Sequence, residues 1–565
     1  MKARSAPVAG PVARGAGRPA TGRLDRLRRW RRDGEIRADL RRTRSEVAGW
    51  GTEGVDRADP DRLFGIVSFT NVPLQAKVHS LFGKAMQLRG YTPVVFTWAS
   101  ARYAREYLGM FGIDRLVTWR EHVRRAGPPA AELESIVSSL LPERPTVAEL
   151  IGARFHDVQV GKHALSVTCR KLITGRLDLD DPDTVALLCA QLGRAVESVV
   201  VAERLFDELP IRKLLIRDPG YIPNAELFEV ALRRGIDCVI YEQGQRKGTW
   251  ILKRYSPDTL SGHVFSLAPS TWDQVRAEPW TPEQDAEVER VFAGRYRADS
   301  TDDRRRLMTG KVEKSPQEVR AQLGLDPAKK TAVIFSHIAW DQAFFWGTCL
   351  FDDYEDWLYE TVKFVARECP HVNWVVKLHP YNAFKLQRAG KAEESEMVLL
   401  RSLMPLPEHV RILRSTTDIS TRSLFPVIDA VLTVHGTVGF EFPAHGVPAV
   451  VAGTGRYDGR GFTVEPATRD DYFQVLREID RLPPLAPEAR ELARRHFLAL
   501  MQRRQFSLED VAPMELKRLN EAVSAVHDNI RFTPRTLEEF EGASSIKRLS
   551  DWLAESRDTD LLEPA

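Results

Sequence analysis

Cysteine is scarce in this chain, and its scarcity excludes two whole classes of protein. Five cysteines (Cys169, Cys189, Cys238, Cys349, Cys369) are scattered over 565 residues without a CxxC pair, so neither a disulfide framework nor a thiolate metal site is indicated. They read as reduced, buried, small apolar residues of a reducing compartment. Long apolar runs are missing too. The stretch from Phe425 to Val434 is broken by Pro426 and Asp429 and falls short of the ~20 residues a bilayer-spanning helix needs. The first residues lack the apolar core and small-residue cleavage site of a secretory signal. The expectation is a cytoplasmic protein without a transmembrane segment. No cluster of His, Cys and carboxylates has metal-ligand spacing either. Asp352-Asp353 resembles a DxD metal motif only superficially, because it opens a predicted helix, where acidic side chains favour the dipole. No metal is expected.

What is present describes a soluble globular chain: hydrophobic residues at 43%, charged residues at 28% and a mean hydropathy of -0.30 exclude both a disordered and a membrane-embedded protein. Its 565 residues are too many for one core and suggest two domains with terminal extensions. The net charge of +3 conceals an asymmetry: residues 1–47 hold 14 Lys/Arg against 5 Asp/Glu, so the body is mildly acidic. Ser5 to Gly22, an Ala/Pro/Gly/Arg mixture, cannot bury enough apolar surface to order itself. Leu24 to Arg44 is arginine-rich with few apolar residues, which fits a basic helix drawn to an anionic membrane or a solvated basic extension. With only Trp30 and Trp50 as aromatics, this segment gives little support to nucleic-acid binding.

From residue 63 the chain alternates strand and helix. Leu63 to Thr70 and Thr92 to Thr97 read as strands around a helix from Leu74 to Leu88, and after a long helical region (Val185 to Glu208) strands resume at Lys213 to Arg217 and Asp237 to Glu242. A second series has strands at Thr331 to Ser336, Asn373 to Lys377, Val410 to Leu413, Ala430 to Val434 and Pro448 to Val451. This rhythm predicts two doubly wound parallel sheets. The divisions are a basic extension over 1–60, a first α/β domain over 61–260, a connector over 261–330, a second α/β domain over 331–480 and C-terminal helices over 481–565. In such sheets ligands sit beyond the carboxyl ends of the strands, in a cleft between the domains.

Three constellations stand at those strand ends. In Trp374-Val375-Val376-Lys377-Leu378-His379-Pro380 the proline holds His379 extended, so Lys377 and His379 project to one side, a cation and a donor suited to phosphate. In Ala430 to Glu441 a buried strand ends at His435-Gly436-Thr437-Val438-Gly439. A helix predicted to begin near Thr437 would offer its N-terminal N–H groups to phosphate, with Glu441 positioned for ribose hydroxyls. The third, Gly453-Thr454-Gly455-Arg456-Tyr457 followed by Gly459 and Gly461, is a loop shaped for an anionic or planar ligand. Each also has a purely structural reading.

This order of K-x-H-P, H-G-T-x-G-x-E, H-G-V-P and a Gly-rich R-Y loop resembles the C-terminal half of capsule polysaccharide biosynthesis glycosyltransferases, a group that includes the Kdo transferases. The resemblance is good over 330–470, loose over 60–260 and absent in both tails. It implies a GT-B fold, two Rossmann-like domains facing a cleft, with the nucleotide held by the C-terminal domain and no metal. Lys377, His379, Gly436 and Thr437 would then meet the donor phosphates and Glu441 the nucleoside, while His435, Gly453, Arg456 and Tyr457 complete the donor loops. Lys377-Leu378-His379 departs from the commoner V-K-P-H-P, and Phe442-Pro443 replaces an Ala-rich stretch.

Glycosyl transfer also needs a group to deprotonate the acceptor. Asp341, just beyond the Thr331 to Ser336 strand, Asp218 in Arg217-Asp218-Pro219 and Glu242 in Tyr241-Glu242-Gln243 are the candidates. The expected partners are a nucleotide sugar, which is substrate rather than cofactor, and a surface polysaccharide or lipid-linked acceptor at the inner membrane face. A polyol-phosphate transferase of the CDP-glycerol type, a nucleotide-sugar epimerase and a non-catalytic assembly scaffold are the alternatives.

Overall fold

The computed structural model describes residues 23–142, 144–297, 308, 310–341, 344–382, 393–516 and 528–564. The expected disorder of Ser5 to Gly22 lies outside the described residues.

Short Val/Ile/Leu/Phe runs build two sheets. The first holds β1 (Asp59–Ser68), β2 (Tyr91–Thr97), β3 (Leu116–Thr118), β4 (Ile211–Ile216) and β5 (Asp237–Gln243), all parallel. An antiparallel edge is added by β6 (Thr249–Tyr255) and by β12 (Phe506–Ser507), which arrives from far along the chain. The second sheet is wholly parallel: β7 (Thr331–Phe335), β8 (Asn373–Lys377), β9 (Val410–Leu413), β10 (Ala430–Thr433) and β11 (Ala449–Val451). The orders are β12-β6-β5-β4-β1-β2-β3 and β11-β10-β7-β8-β9. Within each parallel part the first strand lies between the second and the fourth. This is the doubly wound order, whose crevice opens where the winding reverses, between β1 and β4 and between β7 and β10.

Residues expected to be extensions or connections are built into the cores. The basic segment is a helix, Arg23–Val47, and its Ile36, Leu40 and Val47 are buried in the first lobe. Asp39 on the same face accepts hydrogen bonds from the Lys77 ammonium (3.1 Å) and the Tyr107 hydroxyl (2.5 Å). Trp30, Arg37, Arg41 and Arg44 face outward, with Trp30 76% exposed. The 261–330 stretch supplies helices Pro269–Ala277, Pro282–Tyr296 and Pro316–Leu323. The first two pack with Phe440, Tyr457 and the C-terminal helix Pro487–Leu498 in one apolar cluster. The chain then returns to the first lobe through β12 and the helix Ser544–Ala554.

Helix Pro182–Glu208 is long and apolar enough by composition to cross a bilayer, unlike anything expected from the sequence. Its Leu188, Leu192, Val199 and Ala202 are nevertheless buried against the first sheet, as in a core helix. Beneath it, His163 is clamped between Glu226 and Glu229, 2.9 Å from each. Burial opposes its protonation, but the two carboxylates outweigh that and push its pKa up to about 9.

Candidate functional site

The carboxyl ends of β4 and β5 face those of β7, β8 and β10 across a cavity of about 640 Å³. On the second-lobe wall stand Lys377, His379, His435, Gly436, Thr437, Glu441 and Arg456, together with Asp341 just beyond β7. Asp218 and Glu242 stand on the first-lobe wall. The second-lobe wall brings Lys377 and Arg456 to the cleft, and the first-lobe wall carries Asp218 and Glu242 beside Arg217.

Lys377 closes β8 with its side chain only 5% exposed. Among the described residues no carboxylate pairs with it, and burial, reinforced by Lys311, pulls its pKa down to about 8. A cation held this way lacks the counter-ion that buried charges normally have. His379 is fixed at two points. Its backbone N–H donates to Ser336 Oγ (2.9 Å), and its Nδ1 accepts from the Tyr381 N–H (3.2 Å). With Nδ1 an acceptor, the neutral ring carries its proton on Nε2, which makes that atom a donor. Ser336 in turn donates to Glu396 (3.0 Å), a buried carboxyl pushed up to about 7 by desolvation.

The turn after β10 is stitched rather than open. Thr433 Oγ1 accepts the Gly436 N–H (2.9 Å), and Tyr457 donates to the Gly436 carbonyl (2.9 Å). His337, held neutral by burial and by its neighbours His435, His379 and Arg456, accepts the Val434 N–H through Nε2 (3.0 Å). The helix predicted here is a single turn, Val438–Glu441, so its dipole contributes little. Positive charge comes from side chains instead. Arg456 donates to the His435 carbonyl, and among the described residues its buried Nε has no acceptor.

Four residues stand differently from the sequence reading. Gly453 and Tyr457 lie behind the cavity wall: a Cβ on Gly453 would come within 2.7 Å of His435 Nε2 and the Thr348 carbonyl, and Tyr457 braces Gly436. His435 lines the cavity, but its Nδ1 faces the Tyr354 hydroxyl (2.9 Å), and burial with Arg456 lowers its pKa to about 4, so it is neutral. Glu441 is engaged by the Arg295 guanidinium (2.9 Å) and the Tyr296 hydroxyl. It orients Arg295, which is also 3.5 Å from Thr437 Oγ1, instead of standing open to a ribose.

The three carboxylates differ in their neighbours. Glu242 accepts from Arg217 Nε at 3.1 Å, which holds the guanidinium protonated far above its usual range despite burial. Asp341 accepts from the Tyr221 hydroxyl at 2.6 Å. Asp218 has φ 52°, a left-handed backbone that few non-glycine residues adopt. The Asn224 amide clamps that kink by donating to the Arg217 carbonyl (2.8 Å). Strain of this kind persists only where surrounding bonds impose it, and it aims the Asp218 side chain from the end of β4.

Two doubly wound lobes thus meet across one cleft. This is the GT-B architecture. No protein-family model matches the chain, and no curated protein does. Among solved structures it is similar to a KpsC beta Kdo 2,4 transferase of Thermosulfurimonas dismutans, at 14% identity and TM-score 0.31, with 50% of this chain and 79% of that one covered. A glycosyltransferase from Rickettsia africae overlaps at 10% identity and TM-score 0.28, with 80% and 96% covered. A UDP-GlcNAc 2-epimerase from Neisseria meningitidis overlaps at 10% identity and TM-score 0.24, with 76% and 94% covered. Likenesses this distant carry no weight for donor or acceptor, which must be read from the residues.

Several lining residues of this GT-B cleft escaped the sequence reading. Arg295 and Tyr296 come from a connector helix, and His263 and Trp346 meet with ring centroids 5.2 Å apart. No motif marks them: His263, Arg295 and Tyr296 reach the cleft from the connector, which belongs to neither strand series, and Trp346 from the long loop after β7. His337 was visible as the residue after the first strand of the second series, in the segment that carries Asp341. The assembled wall can bind a polyanion beside a group able to take a proton.

Proposed function

We propose that the chain is a glycosyltransferase that moves a sugar from a nucleotide-activated donor to a hydroxyl of a glycan or lipid-linked acceptor. One observation carries the reading: a buried, carboxylate-free Lys377 faces a cleft whose other wall bears Asp218. In transfer, the bond from the anomeric carbon to the donor phosphate breaks and its electron pair stays on phosphate. That charge meets Lys377, Arg295 and Arg456, which take the part a metal ion plays in other transferases. The acceptor oxygen forms the new bond as Asp218 removes its proton. We favour Asp218 because it stands more open at the end of β4, 44% exposed and 4.0 Å from Arg217 Nε, whereas Glu242 is 16% exposed and held by the same guanidinium at 3.1 Å, and Asp341 accepts from Tyr221 at 2.6 Å. No cofactor beyond the donor is needed. The exposed face of the Arg23–Val47 helix supports a place at the cytoplasmic surface of an anionic membrane.

The test combines a melting screen with CMP, CDP, UDP and GDP and turnover of the stabilising nucleotide's sugar donors. Asn tolerates left-handed backbone as Asp does, so Asp218→Asn should keep the nucleotide-induced stabilisation while turnover falls by about 10²- to 10⁴-fold. Conversion of donor alone into an isomer would assign an epimerase. If no nucleotide raises the melting temperature, the transferase reading fails.

A further inference from the structure

A second cavity, of about 530 Å³, lies between the lobes. The Trp340–Asp341 step divides it from the cleft: Asp341 lines the catalytic side, and Trp340 lines this one. Its first-lobe wall is the 173–180 loop, which is held in place. Ile173 caps the Val160–Leu172 helix in the left-handed region (φ 56°), and Leu177 is buried. Gly175 lies so close to the second lobe that a Cβ would sit 2.6 Å from Ala339 Cβ.

The lining has two characters. Trp340, Leu177 and Leu399 offer apolar surface, while Asp178, Asp180 and Glu355 offer carboxylates. Glu355 is only 5% exposed: its Oε2 accepts the Arg176 N–H (2.9 Å), and the Gly175 backbone and the Ser395 side chain also hydrogen-bond the carboxyl. Burial raises its pKa. Glu393 and Glu394 are tied to Arg401 and Arg414, and Arg176 is the one cation among the described lining residues.

A nucleotide or an acidic sugar would be repelled by this lining, whereas a sugar ring meets both of its demands. Its C–H face covers an indole, and its hydroxyl or ammonium hydrogens reach carboxylate acceptors. Resting on the transferase reading, we propose that this cavity is an acceptor subsite. It holds the sugar behind the one being glycosylated, and that sugar is neutral or amino-bearing, not a uronic or ulosonic acid.

The experiment uses the full chain and saturation-transfer NMR with four trisaccharides: maltotriose and the trimers of N-acetylglucosamine, glucosamine and galacturonic acid. At least one of the first three should bind, at least tenfold more tightly than its monosaccharide, and the galacturonate trimer should not. Val398, 54% exposed at the rim, tolerates a larger residue, so Val398→Trp should obstruct the cavity without unfolding the protein. Val398→Trp and Trp340→Ala should each cut the trimer's advantage by about tenfold or more, while the nucleotide-induced melting shift stays unchanged. Binding of none of the first three, preferred binding of galacturonate, or an advantage that survives Val398→Trp overturns the subsite. Loss of the nucleotide shift in the unaltered protein instead overturns the transferase reading.

Discussion

Replacing Lys377 by Met removes a charge and keeps most of the volume, and the structure implies opposite effects on stability and on binding. Lys377 is only 5% exposed, and burial lowers its pKa from 10.5 to about 8. At 1.36 kcal/mol per pKa unit, burying it charged costs the fold about 3 kcal/mol at neutral pH. The sign follows from linkage. Between pH 8 and 10.5 the unfolded chain holds this proton and the native one does not, so stability rises with pH across that window and the cost is present below it. Lys377→Met should therefore be more stable than the unaltered protein at pH 7, by up to that amount, and the difference should shrink towards pH 10.5. Urea unfolding of both proteins at several pH values isolates this group, since all others cancel. The same variant should lose the nucleotide-induced melting shift, which for a ligand at 100 times its dissociation constant is worth about 2.7 kcal/mol. If Lys377→Met is less stable at pH 7, or still responds to nucleotide, Lys377 is not the counter-charge of a bound anion.

Glu441→Gln should destabilise the fold by about 3 kcal/mol, because Arg295 loses its carboxylate, and should also weaken nucleotide binding; denaturant midpoints and melting shifts measure the two effects. His163, with its pKa raised from 6.5 to about 9, contributes stability that is fully present below pH 6.5 and is lost as pH rises through 9. His163→Gln should therefore lower stability at pH 6 and flatten the decline between those values in unfolding curves. Charge reversal at Arg37, Arg41 and Arg44, all exposed, should reduce sedimentation with anionic vesicles at least ~100-fold, at about 1 kcal/mol per basic residue. Neutral vesicles, or high salt, should show no difference between the proteins.

Both parallel sheets were legible because a fully buried parallel strand needs an unbroken apolar run, and Thr331 to Ser336 or Ala430 to Val434 offers no other reading. β3, β6 and β12 were not: β3 and β12, with three and two residues, leave no periodic trace, and in β6 Lys253 and Arg254 interrupt the apolar run. Lys377 and His379 were found because Pro380 fixes their local geometry. Gly453 and Tyr457 show the limit of that logic, since a glycine-rich loop reads alike whether it admits a ligand or a neighbouring side chain. Glu441 shows another. Its partner Arg295 lies 146 residues away, so no local pattern could reveal that the carboxylate is already occupied.

The return of the chain to the first lobe also bears on how that lobe is made. Asp560 sits fully buried between Lys253 and Arg504, and Leu561 is buried beside them. During synthesis the ribosome thus completes the second lobe before it releases the residues that close the first. The lobe begun earliest waits longest with an open edge at β6, and a chain cut short before β12 would leave that edge free to pair with another molecule.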